Sequence, residues 1–309
     1  MKIIQPQFEI WSQEPGLDGM YRQIERVGRV CYKSEDHCTP TSARPFVERM
    51  LKNRHLAMLE HGTVYLSTPV ETGCGSVGTA GACARYTANK YSVVRVCDGT
   101  AYVTTNLRVL AENDWMDDLQ LLCEPTEHHE RRVTVHFTTQ IAITREFNRH
   151  RADSMAEQST RYCNYSKAKF NNEISVNLPQ FVTTLPQGAV AEGIATGEIA
   201  LTGSDLVELA RKVATGEATD MENWLFANAA AERAYMNLVA AGRKPQEARV
   251  VLPLDTNTEL VHTAFVADWK HFFDLRALGT TGAPHPDAKA LAQPLYERFV
   301  EEGWLAPGK

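Results

Sequence analysis

The sequence predicts an α+β fold, and three observations carry that reading. Short alternating segments at residues 2–11, 63–67 and 132–139 suit half-buried strands, whose successive side chains point to opposite faces. Met20, Ile24, Val27 and Val30 recur at helical spacing within residues 17–33, and a longer helix runs from about Asp220 to Ala241. The Gly-rich run GCGSVG, with Gly73, Gly75 and Gly78, is followed by TAGACARYTANKYSVVRV. That stretch is too broken for the helix that a dinucleotide-binding βαβ unit needs, so the glycines read as a flexible loop. At 309 residues the chain is one large domain or two small ones, and 43% hydrophobic content supplies ample core.

Bulk charge narrows the partners. A net charge of −6 and a pI near 6.0 lack the basic surplus of a general nucleic-acid binder. A local basic cluster in such a chain suits a small anionic ligand. No apolar run approaches a membrane span, and MKIIQPQFEIW has no signal-peptide core, so a cytoplasmic protein is expected. Seven cysteines without a CxxC pair read as reduced thiols rather than a disulfide frame.

In chain order, residues 2–11 suit a strand, 17–33 a helix, and about Ser42 to Asn53 a second helix. Thr63 to Ser67 alternate as a strand, with His55, Glu60 and His61 just before it. Those three lack a further ligand at metal-site spacing. TAYVTTNLRVL reads as a strand entering a helix, ENDWMDDLQLL as a helix, and His128-His129-Glu130 as a solvated turn. RVTVHFTT places Val133, Val135 and Phe137 on one strand face and feeds a helix that ends in RHR. NEISVNLPQF gives a short strand closed by Pro179, and residues 182–203 read as a surface excursion. Gly242 stops the long helix, and Pro245 opens a short one into EARVVLP, where Arg249 precedes an apolar run. Residues 257–276 read as one helix with Leu260, Ala264, Trp269 and Phe272 apolar and His271 and Arg276 near its end.

The chemistry concentrates in residues 145–163, REFNRHRADSMAEQSTRYC, which hold Arg145, Arg149, Arg151 and Arg161. TTQIAITREFNRH has a helical period, which sets Arg145 and Arg149 one turn apart. Like charges at that spacing repel by roughly 0.2–0.5 kcal/mol. A bound anion relieves the repulsion, because guanidinium groups fork onto phosphate or carboxylate oxygens. Glu157 and Arg161 repeat the spacing with opposite signs, and Ser159 lies between them. Hydroxyl, carboxylate and guanidinium together can hold a sugar phosphate and a polar ring. A four-arginine stretch is also what a solvated charged face looks like; the fuller pattern separates the two.

RHR, seven residues, Ser159 and then Arg161-Tyr162 resemble the signature of the flavin-dependent thymidylate synthases, and RHRADSMAEQSTRYCNYS fits it without a gap. GRVCY, a helix and an EH pair leading into a strand look like the N-terminal portion of that family. The resemblance covers roughly residues 17–69 and 132–300 and is strongest at 145–166 and 247–276. It implies a single α+β domain, a mixed or antiparallel sheet flanked by long helices, with about 71–131 as an insertion. It implies FAD held by Glu60, Arg149, His150, Arg151, Glu157 and His271. It further implies deoxyuridine monophosphate held by Glu146, Arg149, Glu157, Gln158, Ser159, Thr160, Arg161, Arg249 and Arg276, with Arg276 activating the uracil. The implied reaction is reductive methylation to thymidine monophosphate, with methylene-tetrahydrofolate as carbon donor and NADPH as reductant through FAD. No metal is implied, and the expected assembly is a homotetramer whose sites draw on several subunits. Ser159 reads as a hydrogen-bonding ligand, because a serine nucleophile needs a base within reach. The chain departs from the family at Ala57, Phe265 and Ala267, where relatives offer polar groups to the flavin, and at Glu146, where a glutamine commonly meets the pyrimidine. Two rivals stand beside this reading: a metal-dependent nucleotide hydrolase built on the histidines, and a non-catalytic flavin- or nucleotide-binding protein. The apolar Phe265 and Ala267 argue for the latter.

Overall fold

A computed structural model describes residues 1–70, 84–183, 197 and 201–307. The strand predicted at the N-terminus forms in two pieces, β1 (Lys2–Ile4) and β2 (Gln7–Trp11). Between them lies Pro6, which has no N–H to give to a ladder. Helices α1 (Gly16–Tyr32) and α2 (Ala43–Lys52) follow as expected, and Met20, Ile24, Val27 and Val30 all face inward on α1. Strand β3 (Thr63–Pro69) pairs with a hairpin of β4 (Val93–Cys97) and β5 (Thr100–Asn106). Asp98 (φ 47°) and Gly99 (φ 73°) make its two-residue turn, the left-handed geometry that matches strand twist. Helix α3 (Leu107–Glu112) starts where the Asn106 side chain accepts the Val109 N–H at 3.1 Å.

The second half supplies β6 (Arg132–Gln140), α4 (Ile141–Phe147), β7 (Ser154–Glu157) and β8 (Ser175–Asn177). It continues with α5 (Gly203–Thr215), α6 (Asp220–Ala240), α7 (Pro245–Ala248), β9 (Asn257–Phe265), α8 (Val266–Arg276) and α9 (Pro286–Glu301). The main sheet is antiparallel in the order β2-β6-β9-β7; β3-β5-β4 form a second antiparallel sheet, and β1 pairs with β8 in parallel. The α+β class expected from the sequence is therefore the class observed.

Burial explains the layering. Val133, Val135 and Phe137 of β6 and Leu260 of β9 share one face with Trp269, Phe272 and Phe273 of α8 and Phe299 of α9. The other face carries Trp11, Ala156 and Val261 against Val27 and Val30 of α1. A separate core joins α1 and α2 to the three-stranded sheet, and another gathers Tyr165, Trp224 and Tyr235 around α6.

Several sequence expectations need correction. The helix expected over residues 257–276 is β9 followed by α8, divided between Phe265 and Val266. Leu260 and Ala264 stand four apart, which fits a helix face and a strand face alike. The β-branched Thr258, Val261 and Thr263 tip the segment to strand. ENDWMDDLQLL forms only a 3₁₀ turn, Met116–Leu121. His129 is not solvated: it is buried, its Nδ1 accepts the Thr126 N–H at 3.1 Å, and its Nε2 donates to Leu66 O at 3.1 Å. Helix α4 ends at Phe147, so Arg149 lies beyond it rather than one turn along from Arg145. Likewise Glu157 ends a strand and Arg161 lies in a turn, so no helix relates them. Of the excursion expected over residues 182–203, most lies outside the described residues, as does the GCGSVG run.

The rings of Phe137, Phe147, His150, His262, Trp269 and Phe273 all lie against Phe272. Phe272→Ala is expected to lower stability by about 3–5 kcal/mol, read as a shifted urea midpoint with unchanged slope; a loss below about 1 kcal/mol would contradict this placement of the core.

Candidate functional site

Helix α4 delivers the arginine loop. Its last turn is followed by residues 148–153, in which side chains alternate between solvent and interior. Arg149 and Arg151 are exposed, whereas His150 is buried and Asp153 reaches inward. Arg276, the last residue of α8, meets this loop from behind. Its Nη1 donates to Glu146 Oε2 at 2.7 Å, Nη2 to Glu146 O at 2.8 Å, and Nε to His150 Nε2 at 3.4 Å. The His150 ring lies 5.6 Å from that of His271. Burial, followed by the nearby His262, pushes the His150 imidazole down to about 4, so it is a neutral acceptor at neutral pH.

A second cluster forms where β7 gives way to the Ser159 turn. Thr144 Oγ1 (2.7 Å) and Asn148 Nδ2 (2.9 Å) both donate to the Glu157 carboxylate, which ties α4 to β7. The Gln158 N–H donates to Glu259 O at 2.8 Å, and the Ser159 N–H to Cys31 O at 3.0 Å. Ser159 O accepts the Tyr162 and Cys163 N–H groups, and Ser159 Oγ accepts the Arg161 N–H at 3.3 Å. Beside this turn lies a cleft of about 640 Å³, within the range of small-molecule sites. Arg145, Glu157, Gln158, Ser159, Thr160 and Arg249 line it, over an apolar wall that includes Ile141 and Leu252.

Five of the arginines at these two places share one property. Arg249 Nη1 donates to Thr160 Oγ1 at 3.3 Å and Arg161 Nε to Gln246 Oε1 at 3.2 Å, both neutral acceptors. Among the described residues, Arg145, Arg149, Arg151, Arg161 and Arg249 form no ion pair. By contrast, Arg29, Arg108 and Arg211 each hold a carboxylate. Exposed guanidinium groups without acid partners are suited to holding an anion.

The residues picked out in the sequence fall in three places. Arg145, Glu157, Gln158, Ser159, Thr160 and Arg249 meet at the cleft, with Arg161 on the same turn. Glu146, His150, His271 and Arg276 meet behind the arginine loop. Arg276 is not among the residues that line the Ser159 cleft. Glu60 stands apart, paired with Arg108 of α3 beside a cavity of about 150 Å³ that Arg132, Phe265 and Asp268 also line. Sequence reasoning missed Asp153, His262 and Arg132. Arg132 donates to Glu60 O (3.1 Å), Thr63 Oγ1 (3.3 Å) and Ser154 Oγ (3.2 Å), and burial lowers its guanidinium to about 10. The one available signal was Asp153, an acid two residues after the second arginine of a basic run.

The α+β scaffold thus presents arginines without carboxylate partners around a ligand-sized cleft, an arrangement suited to a small anion. Residues 97–302, about two thirds of the chain, match the family described as thymidylate synthase complementing protein, Thy1. The chain belongs to that family, the one the RHR-x7-S and RY residues resemble. The matched span includes residues 145–166 and 247–276 but begins after the EH segment. A search of curated proteins finds no match. Among solved structures, the chain is similar to a UMP/dUMP methylase, PolB, from Streptomyces cacaoi bound with 5-Br dUMP, at 16% identity and a TM-score of 0.41, covering 97% of this chain and 93% of that one. The same methylase bound with 5-Br UMP gives 15% identity and a TM-score of 0.40, covering 97% and 92%.

His61, fully buried with Nδ1 2.8 Å from Thr263 Oγ1, is held down to about 3 by burial and then by Arg132 and His262. Both His61 and His150 are thus depressed in the folded state. Below pH 6.5 the unfolded chain takes up protons that the folded chain refuses, so stability falls as pH falls, until each folded pKa, about 3 and about 4, is passed. The loss at pH 4 is on the order of 3 kcal/mol for each group. Urea midpoints measured from pH 7 to pH 4 should fall steeply in the native protein and less steeply in His61→Gln; equal slopes would contradict the assignment.

Proposed function

We propose that the protein methylates deoxyuridine monophosphate to thymidine monophosphate, with methylene-tetrahydrofolate as carbon donor and NADPH as reductant through FAD. The observation that carries this is the set of five acid-free arginines around the Ser159 cleft and the RHR loop, in a member of the Thy1 family. Arg161 and Arg249 bind the phosphate, with the Ser159 and Thr160 hydroxyls as further donors. Glu157 and Gln158 present acceptors and donors at the edge of the cleft for the sugar and the ring. Glu157 is already fixed by Thr144 and Asn148, so it costs little further ordering on binding.

The residues fit a flavin dinucleotide in part. Arg149 and Arg151 are free to meet its diphosphate, with His150 and His271 beside them, whereas Phe265 and Ala267 offer no polar group and Glu60 is engaged by Arg108. Bound there, the flavin would carry reducing equivalents from NADPH, and the folate the one-carbon unit. The chain's own task is to orient the pyrimidine and stabilise charge on it. Arg276 holds a permanent positive charge for that purpose. In a single chain it is spent on Glu146 and lies outside the Ser159 cleft. We therefore assign the working site to an assembly, in line with a homotetramer, in which Arg276 of one subunit serves the cleft of another.

A non-catalytic flavin-binding protein is the second reading, favoured by Phe265, Ala267 and the Arg108–Glu60 pair. A metal-dependent hydrolase has no support among the described residues, where no group of three His, Cys, Asp or Glu side chains can hold an ion.

Purified protein is expected to be yellow, absorbing near about 450 nm, and to form thymidylate anaerobically from the uridylate, methylene-tetrahydrofolate and NADPH. Flavin bound without turnover would select the second reading. Arg276→Ala is expected to lower kcat by about 10²–10³-fold, and retention of more than a tenth of the activity would remove it from this role. Inactive Ser159→Ala and Arg276→Ala chains, mixed and reassembled, are expected to recover part of the native rate; recovery of none would place both residues in one chain's site.

A further inference from the structure

We propose that Asp153 and His262 are a positioning pair, a buried hydrogen bond that fixes the arginine loop so that Arg149 and Arg151 are presented outward. The Asp153 carboxylate is 2% exposed and the His262 ring 0% exposed, and Asp153 Oδ2 lies 2.6 Å from His262 Nε2. Nδ1 of His262 is buried without a partner, so Nε2 carries the proton that is donated. The ring cannot swing away, because it is stacked on Trp269 with centroids 4.0 Å apart and planes 30° apart. Trp269 is itself fixed, donating from Nε1 to Val133 O at 3.1 Å. His262 sits in the middle of β9, opposite Val135 of β6 and Met155 of β7. The pair therefore refers the loop to the most rigid part of the sheet.

Local bonding shows why the loop needs this. Residues 149–152 belong to no strand or helix and follow a helix of only seven residues. The backbone bonds are all local: Arg149 N–H to Glu146 O at 3.3 Å, His150 N–H to Phe147 O at 3.2 Å, Asp153 N–H to His150 O at 3.2 Å. None of them reaches beyond the last turn of α4. Two inward side chains do so, His150 through Arg276 and Asp153 through His262. Because the loop turns inward at 150 and again at 153, the directions of Arg149 and Arg151 follow from where those two are seated. Guanidinium recognition of a diphosphate depends on such pre-set direction.

The idea that these arginines meet a flavin diphosphate rests on the proposed function, so the test has one arm that does not. Trypsin cuts after arginine, and the rate of native-state cleavage after Arg149 and Arg151 reads how firmly the loop is seated. Asp153→Ala and His262→Phe are each expected to raise that rate about tenfold, and the double variant to cut no faster than the singles, since both remove one bond. Trp224→Phe, which breaks the 2.7 Å bond from Trp224 Nε1 to Asp255 Oδ2 in another core, is the control for general destabilisation and should leave the rate unchanged. Should an alanine variant not fold, Asp153→Asn, which keeps an acceptor, takes its place and is expected to give a smaller increase. Unchanged cleavage in the folded variants, or an equal rise in the control, overturns the proposal. In the second arm, the dissociation constant for FAD should rise about tenfold in the same variants with the extinction spectrum retained. Native protein that fails to bind FAD, together with faster loop cleavage in the variants, would refute the flavin reading and leave the positioning pair intact.

Discussion

The nine-residue antiparallel ladder between β6 and β9 is the contact on which the rest of the structure depends. It runs in register from Arg132 opposite Phe265 to Gln140 opposite Asn257, and β7 adds to its far side from Ser154 to Glu157. The ladder sets the site from both ends. Helix α4 leaves β6 at the Gln140 end and α8 leaves β9 at the opposite, Phe265 end, and the two helices bring Glu146 and Arg276 to each other. At the Gln140 end, beside the start of α4, the chain leaving β7 is caught by the bond from Gln158 N–H to Glu259 O, which starts the Ser159 turn. A one-residue slip would turn His262 and Val135 to the wrong face at once, because the side-chain period is two.

That sheet is unusual in how much polarity it buries. Thr134 and Thr263 share a hydrogen bond of 2.8 Å, and Thr263 also meets His61. Lys33, Glu259 and His136 meet on the sheet face toward α1, where, against the effect of burial, the His136 hydrogen bond and the Lys33 ammonium hold the carboxylate below its usual range. Arg132 has only neutral acceptors, and its charge is balanced at longer range by Glu60, Asp153 and Asp268. A buried charge with no close counter-ion is costly. Its retention here joins β6 to the segment that carries Glu60 and to β7, since one guanidinium bonds Glu60 O, Thr63 and Ser154.

Much of this was legible from residue order, and the rest fails for identifiable reasons. The strands at 63–69 and 132–140 and helices α1, α2 and α6 were visible because each has one clean period over several turns or pairs. Strand β9 was not, because apolar residues four apart satisfy both periods. Helix α5 had a local start signal, Thr202 with Asp205 as a capping box, but its buried face holds little beyond Leu209. Helix α9 opens with Pro286, a good first-turn residue, and contains Pro294, a residue that disfavours a helix interior. At the site, Ser159, Thr160, Glu157 and Arg249 line one cleft. Asp153 and His262 lie 109 residues apart and meet only through β7–β9 pairing, which no local pattern encodes.

The geometry of α4 also explains why the Ser159 cleft and the Glu146–Arg276 pair lie apart in one chain. Arg145 and Glu146 are neighbours, and consecutive helical side chains diverge by about 100°. Arg145 therefore turns to the Ser159 cleft while Glu146 turns to Arg276. A seven-residue helix cannot bend enough to bring both onto one ligand. If Arg276 is to act on a pyrimidine seated by Ser159 and Arg249, a ligand must draw it from Glu146, or a second subunit must bring its own Arg276 to the cleft. The first route would leave Glu146, now half-buried, without its cation, a penalty that buried carboxylates resist. The second needs no swing of Arg276 across its own chain, and the exposed apolar side chains Val250 and Leu254 at the rim of the cleft give an approaching subunit a surface to cover.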